Sequence, residues 1–354
     1  MVAFFDIDTL AGYRHCYFVL RSDHATKPGG DVDLARQIAR KAEAAGANVS
    51  ITGVAQLPAR LDARDLMFLF NIDRPYDAAL ALEHAHPDSR VLLYPLHHPG
   101  AGITKYLAKV SGLKGMLGMI AGRRPDRYEA MVDAAKAVRT RDFRRLRVAL
   151  RRRQTIADLM IRCELLITST VELSEIATQF GSPSRMTWLL PHPVADYVAP
   201  NAVALPRYIL VAGRIEPRKN QLAALQTLAK MNLRDRGYEI VLAGGTGSDI
   251  SYFRETIDFA LENGIIYVSQ LPKNLFFPAV SGASLLVNAS FFEVTSLIDL
   301  YAIDNEIPLI TTTHGYYTSV PTLRQIDPAA WGQFPTQELC KSVNAMLTLN
   351  IDAN

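Results

Sequence analysis

Apolar runs and amphipathic stretches take turns along the 354 residues. "HCYFVLRS" (15–22), "NVSITGV" (48–54), "LMFLFNI" (66–72), "RVLLYPL" (90–96) and "CELLITST" (163–170) are short apolar runs of the kind found in parallel strands buried on both faces. Between them, "DVDLARQIARKAEAAG" (31–46), "DAALALEHAHP" (77–87) and "VELSEIATQFG" (171–181) have helical spacing. "MTWLLPHPV" (186–194) closes the first half, and the Pro-rich, aperiodic stretch 195–207 reads as a linker. The rhythm then restarts. Strands are predicted over 208–213, 238–243, 265–269, 284–288 and 308–312, and helices over 219–231, 251–263, 273–281 and 295–304. Two consecutive doubly wound α/β units imply two Rossmann-like domains facing across a cleft, over 1–198 and 199–354.

One segment breaks the rhythm. Residues 105–153 hold fifteen Lys or Arg against four Asp or Glu. "YLAKVSGLKGMLGMIAG" (106–122) mixes apolar residues with Lys109 and Lys114, and "RTRDFRRLRVALRRR" (139–153) is a basic helix with Phe143, Leu146 and Leu150 at helical spacing. This insert reads as a contact for an anionic membrane surface; a solvated face is the alternative. Net charge is only +3 over the chain and aromatic interleaving is sparse, so nucleic acid is not an expected partner. Cys16, Cys163 and Cys340 are far apart and show no metal or redox spacing, so they read as reduced thiols of a cytoplasmic protein. No signal peptide is visible, and no run reaches the roughly 20 apolar residues that span a bilayer.

Candidate chemistry falls at strand ends. "YILVAGRIEPRKNQLAALQTLAKM" (208–231) places Arg214, Glu216, Arg218 and Lys219 where a strand hands over to a helix. In an open α/β sheet that turn lies at the ligand-binding edge, and a helix N-terminus attracts anions. Three cations there suit a phosphate or diphosphate, and a solvated turn is the bland alternative. "LAGGTGSD" (242–249) is a Gly-rich turn whose backbone can approach a ligand. In "VNASFFEVTSLIDLYAIDNEIPLITTTHG" (287–315), Glu293 follows a strand and Thr295 opens a helix; the carboxylate can accept from sugar hydroxyls or oppose the helix dipole. In the first half, Gly29-Gly30 precede a helix, and His97 and His98 stand just past a strand.

"VAGRIEPRKNQ" (211–221), "LAGGTGSD", "VNASFFEVTSLIDLYAI" and "KPGGDVDLARQIARKAEAAGANVSI" (27–51) resemble retaining glycosyltransferases of the GT-B fold. The family is the large nucleotide-sugar one that includes glycogen-synthase-like and bacterial polysaccharide-assembly enzymes. "LFNIDRPYDAALALEHAHPDSRVLLYPLHHP" (69–99) and "CELLITSTVELSEIATQFG" resemble its acceptor domain, and only 105–153 falls outside the likeness. The resemblance implies that Arg214 and Lys219 bind the donor diphosphate and that Glu293 lies near the donor sugar. It implies further donor contacts from Gly213, Gly244, Gly245, Thr295, Ser296, Leu297 and Tyr301, and an acceptor side formed by Gly29, Gly30, His97 and His98. In the family's Glu-x7-Glu motif the second Glu holds the ribose, but here that position is Tyr301, with Asp299 two residues earlier.

The implied reaction is metal-independent, cofactor-free, retaining transfer from a nucleotide-diphosphate sugar to a saccharide. The acceptor would be lipid-linked, in bacterial surface polysaccharide assembly, with the enzyme peripheral on the inner face of the cell membrane. The final helix (336–350) would pack back on the first domain. An epimerase of the same fold and a degenerate nucleotide-sugar-binding protein are the alternatives.

Overall fold

The structure is a computed structural model that describes residues 2–26, 29–110, 112–191, 207–247, 249–294 and 296–349. The first seven strands are β1 (Ala3–Phe4), β2 (Cys16–Leu20), β3 (Val49–Gly53), β4 (Leu66–Phe70), β5 (Arg90–Tyr94), β6 (Glu164–Ile167) and β7 (Thr187–Leu189). They form one parallel sheet in the order β1-β7-β6-β5-β4-β2-β3. The next six are β8 (Tyr208–Ala212), β9 (Glu239–Ala243), β10 (Ile266–Val268), β11 (Leu285–Val287), β12 (Leu309–Thr312) and β13 (Leu323–Ile326). They form a second parallel sheet, ordered β10-β9-β8-β11-β12-β13. Both sheets are the α/β, Rossmann-like units that the alternation predicts. The apolar runs lacked a period of two because these strands bury both faces; all five residues of β4 are buried.

The helices are α1 (Gly30–Ala44), α2 (Pro75–Leu82), α3 (Gly100–Lys109), α4 (Gly112–Ile120), α5 (Pro125–Thr140), α6 (Phe143–Leu150), α7 (Arg152–Arg162) and α8 (Thr170–Phe180) in the first half. In the second half they are α9 (Gln221–Ala229), α10 (Ile250–Glu262), α11 (Lys273–Ser281), α12 (Leu297–Asp304) and α13 (Gln337–Leu349). No helix among the described residues is long and apolar enough to cross a membrane. All three thiols are free. The expected linker over 195–207 lies, but for Arg207, outside the described residues.

Contacts divide the chain into two units: Met1–Gly100 with Ser111–Pro193, and Ala101–Val110 with Val194–Asn354. This differs from the expected insert at one place, because α3 belongs to the second unit. The reason is local. Gly102 fits against that unit where a Cβ would stand 2.6 Å from the Phe291 carbonyl and 2.8 Å from the His314 side chain. Tyr106 packs on Phe291 and Phe292, with ring centroids 5.7 and 6.2 Å away, and Lys105 pairs with Asp327. The final helix likewise keeps its apolar stripe inside the second unit: Leu339, Val343, Met346 and Leu347 are in one core with Ile209, Val211 and Leu225.

The rest of the insert is four short helices. Gly112, Gly122 and Arg141 take positive φ, Pro125 starts α5, and the Asp142 side chain caps α6 by accepting from the Arg145 N–H at 2.9 Å. Helix α7 buries Ile156, Leu159 and Met160 in the core of the first sheet. Arg145 and Arg152, read in the sequence as part of a basic surface, are turned inward toward Asp133; only 5% of the Arg152 side chain is exposed.

Candidate functional site

Chain order reverses between β8 and β11 in the second sheet, so the loops after these two strands diverge around one crevice position, the place where open α/β sheets bind ligands. The loop after β8 carries Gly213 to Lys219; the loop after β11 carries Asn288 to Glu293. The expected single helix 219–231 is split into a 3₁₀ turn, Pro217–Lys219, then Asn220 at φ 55°, then α9. The split holds the cations in a short arch. Buried Gln221 braces it by donating to the Arg214 carbonyl at 2.7 Å.

Glycines let the neighbouring loop close on this arch. Gly213 takes φ +118°, and a Cβ on Gly244 would collide with the Gly213 carbonyl. Gly244 is thus spoken for by backbone packing. Gly245 accepts from the Ile215 N–H through its carbonyl at 2.9 Å.

Glu293 is the electrostatic centre. Its carboxylate accepts from Lys219 Nζ, and Arg218 Nη1 lies 3.5 Å away. Burial opposes ionisation, but Lys219 and Arg218 outweigh it and hold the carboxyl at about 2. Arg218 also donates to the Phe292 carbonyl at 3.1 Å and to Glu216 at 3.2 Å. Arg214, by contrast, is exposed and makes no side-chain hydrogen bond or ion pair among the described residues. Of the two residues singled out as a clamp, Arg214 is available to an anion and Lys219 already spends one of its three donors on Glu293.

Helix α12 corrects the reading of Tyr301. Tyr301 is 1% exposed; its ring packs at a tilt on Phe277, with centroids 4.6 Å apart, and its hydroxyl hydrogen-bonds Ser281 at 2.7 Å. It belongs to the apolar core with Leu210, Leu286 and Leu309, so it does not contact a donor. Residues 293–296 precede the helix, and the phase of α12 turns position 301 toward α11. Asp299 is no ribose ligand either. Its carboxylate accepts from Asn288 at 2.8 Å, Thr311 at 2.7 Å and Tyr317 at 2.6 Å. Burial outweighs these donors and pushes it up to about 6. Ser296 is buried, donating its N–H to Tyr317 at 3.1 Å, and Leu297 is half-buried at the start of α12. Thr295 lies outside the described residues.

In the first sheet the reversal falls between β2 and β4. The loop after β4 supplies Asp73, and the loop after β5 supplies His97 and His98. His97 Nδ1 lies 2.7 Å from one carboxylate oxygen; His98 Nδ1 and N–H lie 2.8 and 2.9 Å from the other. Burial opposes charge on both Asp73 and His97. Their mutual attraction outweighs it, keeping Asp73 well below the carboxylate range and raising His97. His97 Nε2 is buried with no hydrogen-bond partner. Glu172, the first-turn acid of α8, accepts the His97 N–H at 3.2 Å. Gly29 and Gly30 start α1 after β2, but Asp31 and Asp33 fill its first turn and Arg21 pairs with Asp31 at 2.7 Å. That helix start already carries its own anions.

Two contributors were not assigned from the sequence: Arg218 as a partner of Glu293, and Asp73 as the carboxylate between the histidines. Each sits within a few residues of a strand end, which was the available signal.

No family model matches the sequence, and no curated protein gives a match. Solved structures do. Sucrose-phosphate synthase from Thermosynechococcus elongatus superposes with a TM-score of 0.62 at 17% identity, over 95% of this chain and 90% of that one. A glycosyltransferase from Rickettsia africae gives 0.61 at 10% identity, over 95% and 88%. HepE from Anabaena, in complex with UDP, gives 0.60 at 13% identity, over 94% and 90%. The chain thus has the two-sheet α/β fold of the GT-B glycosyltransferases.

Proposed function

We propose that this protein is a glycosyltransferase that moves a sugar from a nucleotide-diphosphate sugar to a saccharide acceptor with retention of configuration. The observation that carries this reading is the arch at the β8/β11 reversal. It offers an exposed guanidinium, Arg214, in the same loop as Lys219, which pairs with no carboxylate other than Glu293 among the described residues. A guanidinium fork suits paired phosphate oxygens. Charge that develops on a departing diphosphate is stabilised by such fixed cations, and the protein groups take the role a metal plays elsewhere. HepE, of the same fold, has been solved with UDP and with UDP-glucose, which favours a nucleotide sugar here. The half over 199–354 would hold the donor, and the half over 1–198, with Asp73, His97 and His98, the acceptor. A lipid-linked saccharide of surface polysaccharide assembly, met at the cytoplasmic face of the membrane, is the acceptor class proposed.

A panel of nucleoside diphosphates and nucleotide sugars, scored by thermal shift, tests the donor. A true ligand at a hundred times its Kd should stabilise by about 2.7 kcal/mol. Product analysis with and without a saccharide tests transfer. No shift with any nucleotide overturns the reading, and isomerised nucleotide sugar without acceptor would assign epimerase chemistry instead.

A further inference from the structure

The insert carries an exposed face that the glycosyl-transfer reading does not use. Helix α6 turns Arg145 and Ala149 inward, which leaves Phe143, Arg144, Arg147 and Leu150 outward, with Arg151 following the helix. Phe143 is 81% exposed and Leu150 76%. They stand seven positions apart, two turns along one side of the helix. Arg147 and Arg151, four apart, flank the same stripe. Arg147, Arg151 and Arg153 form no ion pair among the described residues. Arg144 lies 3.6 Å from Glu83, but both are well exposed and such a pair is easily given up.

Beside this stripe lies a groove of about 490 Å³, lined by Leu150, Arg151, Arg153, Gln154, Ala157 and Phe180. It combines two guanidinium groups with apolar walls. Helix α4 adds a second exposed apolar stripe, Met116, Met119 and Ile120, at helical spacing.

An exposed Phe or Leu alone means little. Here two large apolar side chains and two unburied arginines share α6, Arg151 and Arg153 follow directly, and a cationic, apolar-walled groove adjoins them. Single-sign charge interleaved with apolar anchors matches the headgroup layer of an anionic bilayer, where phosphates and the first methylenes are met together. We propose that the α6 face docks this protein on an anionic lipid surface. Phe143 and Leu150 enter the headgroup boundary, Arg144, Arg147, Arg151 and Arg153 meet lipid phosphates, and the groove seats one phosphate with the start of its chain. The buried Arg145 and Arg152 take no part. This inference holds whether or not the protein transfers sugars.

The test is co-sedimentation of the full chain with vesicles of phosphatidylcholine alone and of phosphatidylcholine with phosphatidylglycerol. Binding should require phosphatidylglycerol and weaken with salt. Replacing Arg144, Arg147, Arg151 and Arg153 by Gln should lower partitioning about fivefold per arginine. Phe143→Ser with Leu150→Ser should lower it on anionic vesicles by about tenfold or more. All six side chains are on the surface, so an unchanged melting temperature is expected and is measured on the same samples. Equal binding to neutral vesicles, absence of binding, or wild-type binding by the Gln variant would each overturn the proposal.

Discussion

The two sheets place the same device at the same topological point and build it from different chemistry. In each, a carboxylate in a loop beside the reversal of strand order is gripped by two basic side chains: buried Glu293 by Lys219 and Arg218, half-buried Asp73 by His97 and His98. In the second sheet the partners are an ammonium and a guanidinium, and the Glu293 carboxyl is held well below the usual carboxylate range. In the first sheet the partners are imidazoles, and a neutral imidazole can still donate a hydrogen bond through Nδ1. One centre is built on strong bases; the other contains His97, whose pKa is raised above the ordinary imidazole value by Asp73.

Removing each carboxylate breaks the comparison most sharply. Glu293→Ala leaves Lys219 without its carboxylate and Arg218 with Glu216 alone in a largely buried loop, and should cost about 3–5 kcal/mol in urea unfolding. Asp73→Ala removes the charge that raises His97, so that imidazole can be neutral, and the loss should be nearer 1–3 kcal/mol, the cost of unmet hydrogen bonds. Equal losses would mean the two centres are energetically alike.

A smaller effect separates the two clamp residues. Arg214→Ala should weaken nucleoside diphosphate binding by about one to two decades, the worth of one charge-assisted hydrogen bond, with an unchanged melt. Lys219→Ala should weaken binding and also lower the melting temperature, since it leaves the buried Glu293 carboxylate with Arg218 alone. Calorimetric titration and melting curves on both variants check this. A Lys219→Ala protein as stable as wild type would remove the claim that the pair matters to the fold.

The smallest effect is the most specific. His97 has a raised folded-state pKa, so its contribution is full below the ordinary imidazole value of 6.5 and is lost as pH rises through the folded value. Glu293 has a lowered one, so its contribution is full above 4.5 and is lost as pH falls toward 2. The stability difference between wild type and His97→Gln should therefore shrink on going alkaline. The difference between wild type and Glu293→Gln should stay flat there and shrink only in acid. Melting curves across both ranges, with the two variants exchanging behaviour, would refute the assignment.

The alternation of apolar runs and helical stretches was enough to read both sheets, because parallel strands buried on both faces leave a plain signature. The short edge strands β1 and β13 were missed: two exposed residues in one, and only two buried of four in the other, give no apolar run. At the site, the cations and Glu293 were legible from type and position. Which cation grips Glu293 was not, since that depends on the 3₁₀ turn ending at Asn220. Tyr301 was misread because a fixed motif spacing assumes a helix phase, and a buried phenol and a ligand-facing one look alike in a string of letters. Arg145 and Arg152 were misread for a related reason: a run of arginines hides which side of a helix each is on.

The position of α3 sets how this chain can be taken apart. Its ten residues are synthesised long before Phe291, Phe292 and Asp327, yet those are the groups it covers. On the ribosome the helix must wait, with Tyr106 uncovered, until most of the chain has emerged. A cut at the linker would not release a self-sufficient second unit. It would leave a fragment lacking Ala101–Val110, with the aromatic pair beside Glu293 laid open. A split or permuted version would have to carry that decapeptide with it, and Gly102 is the residue at which it must still fit.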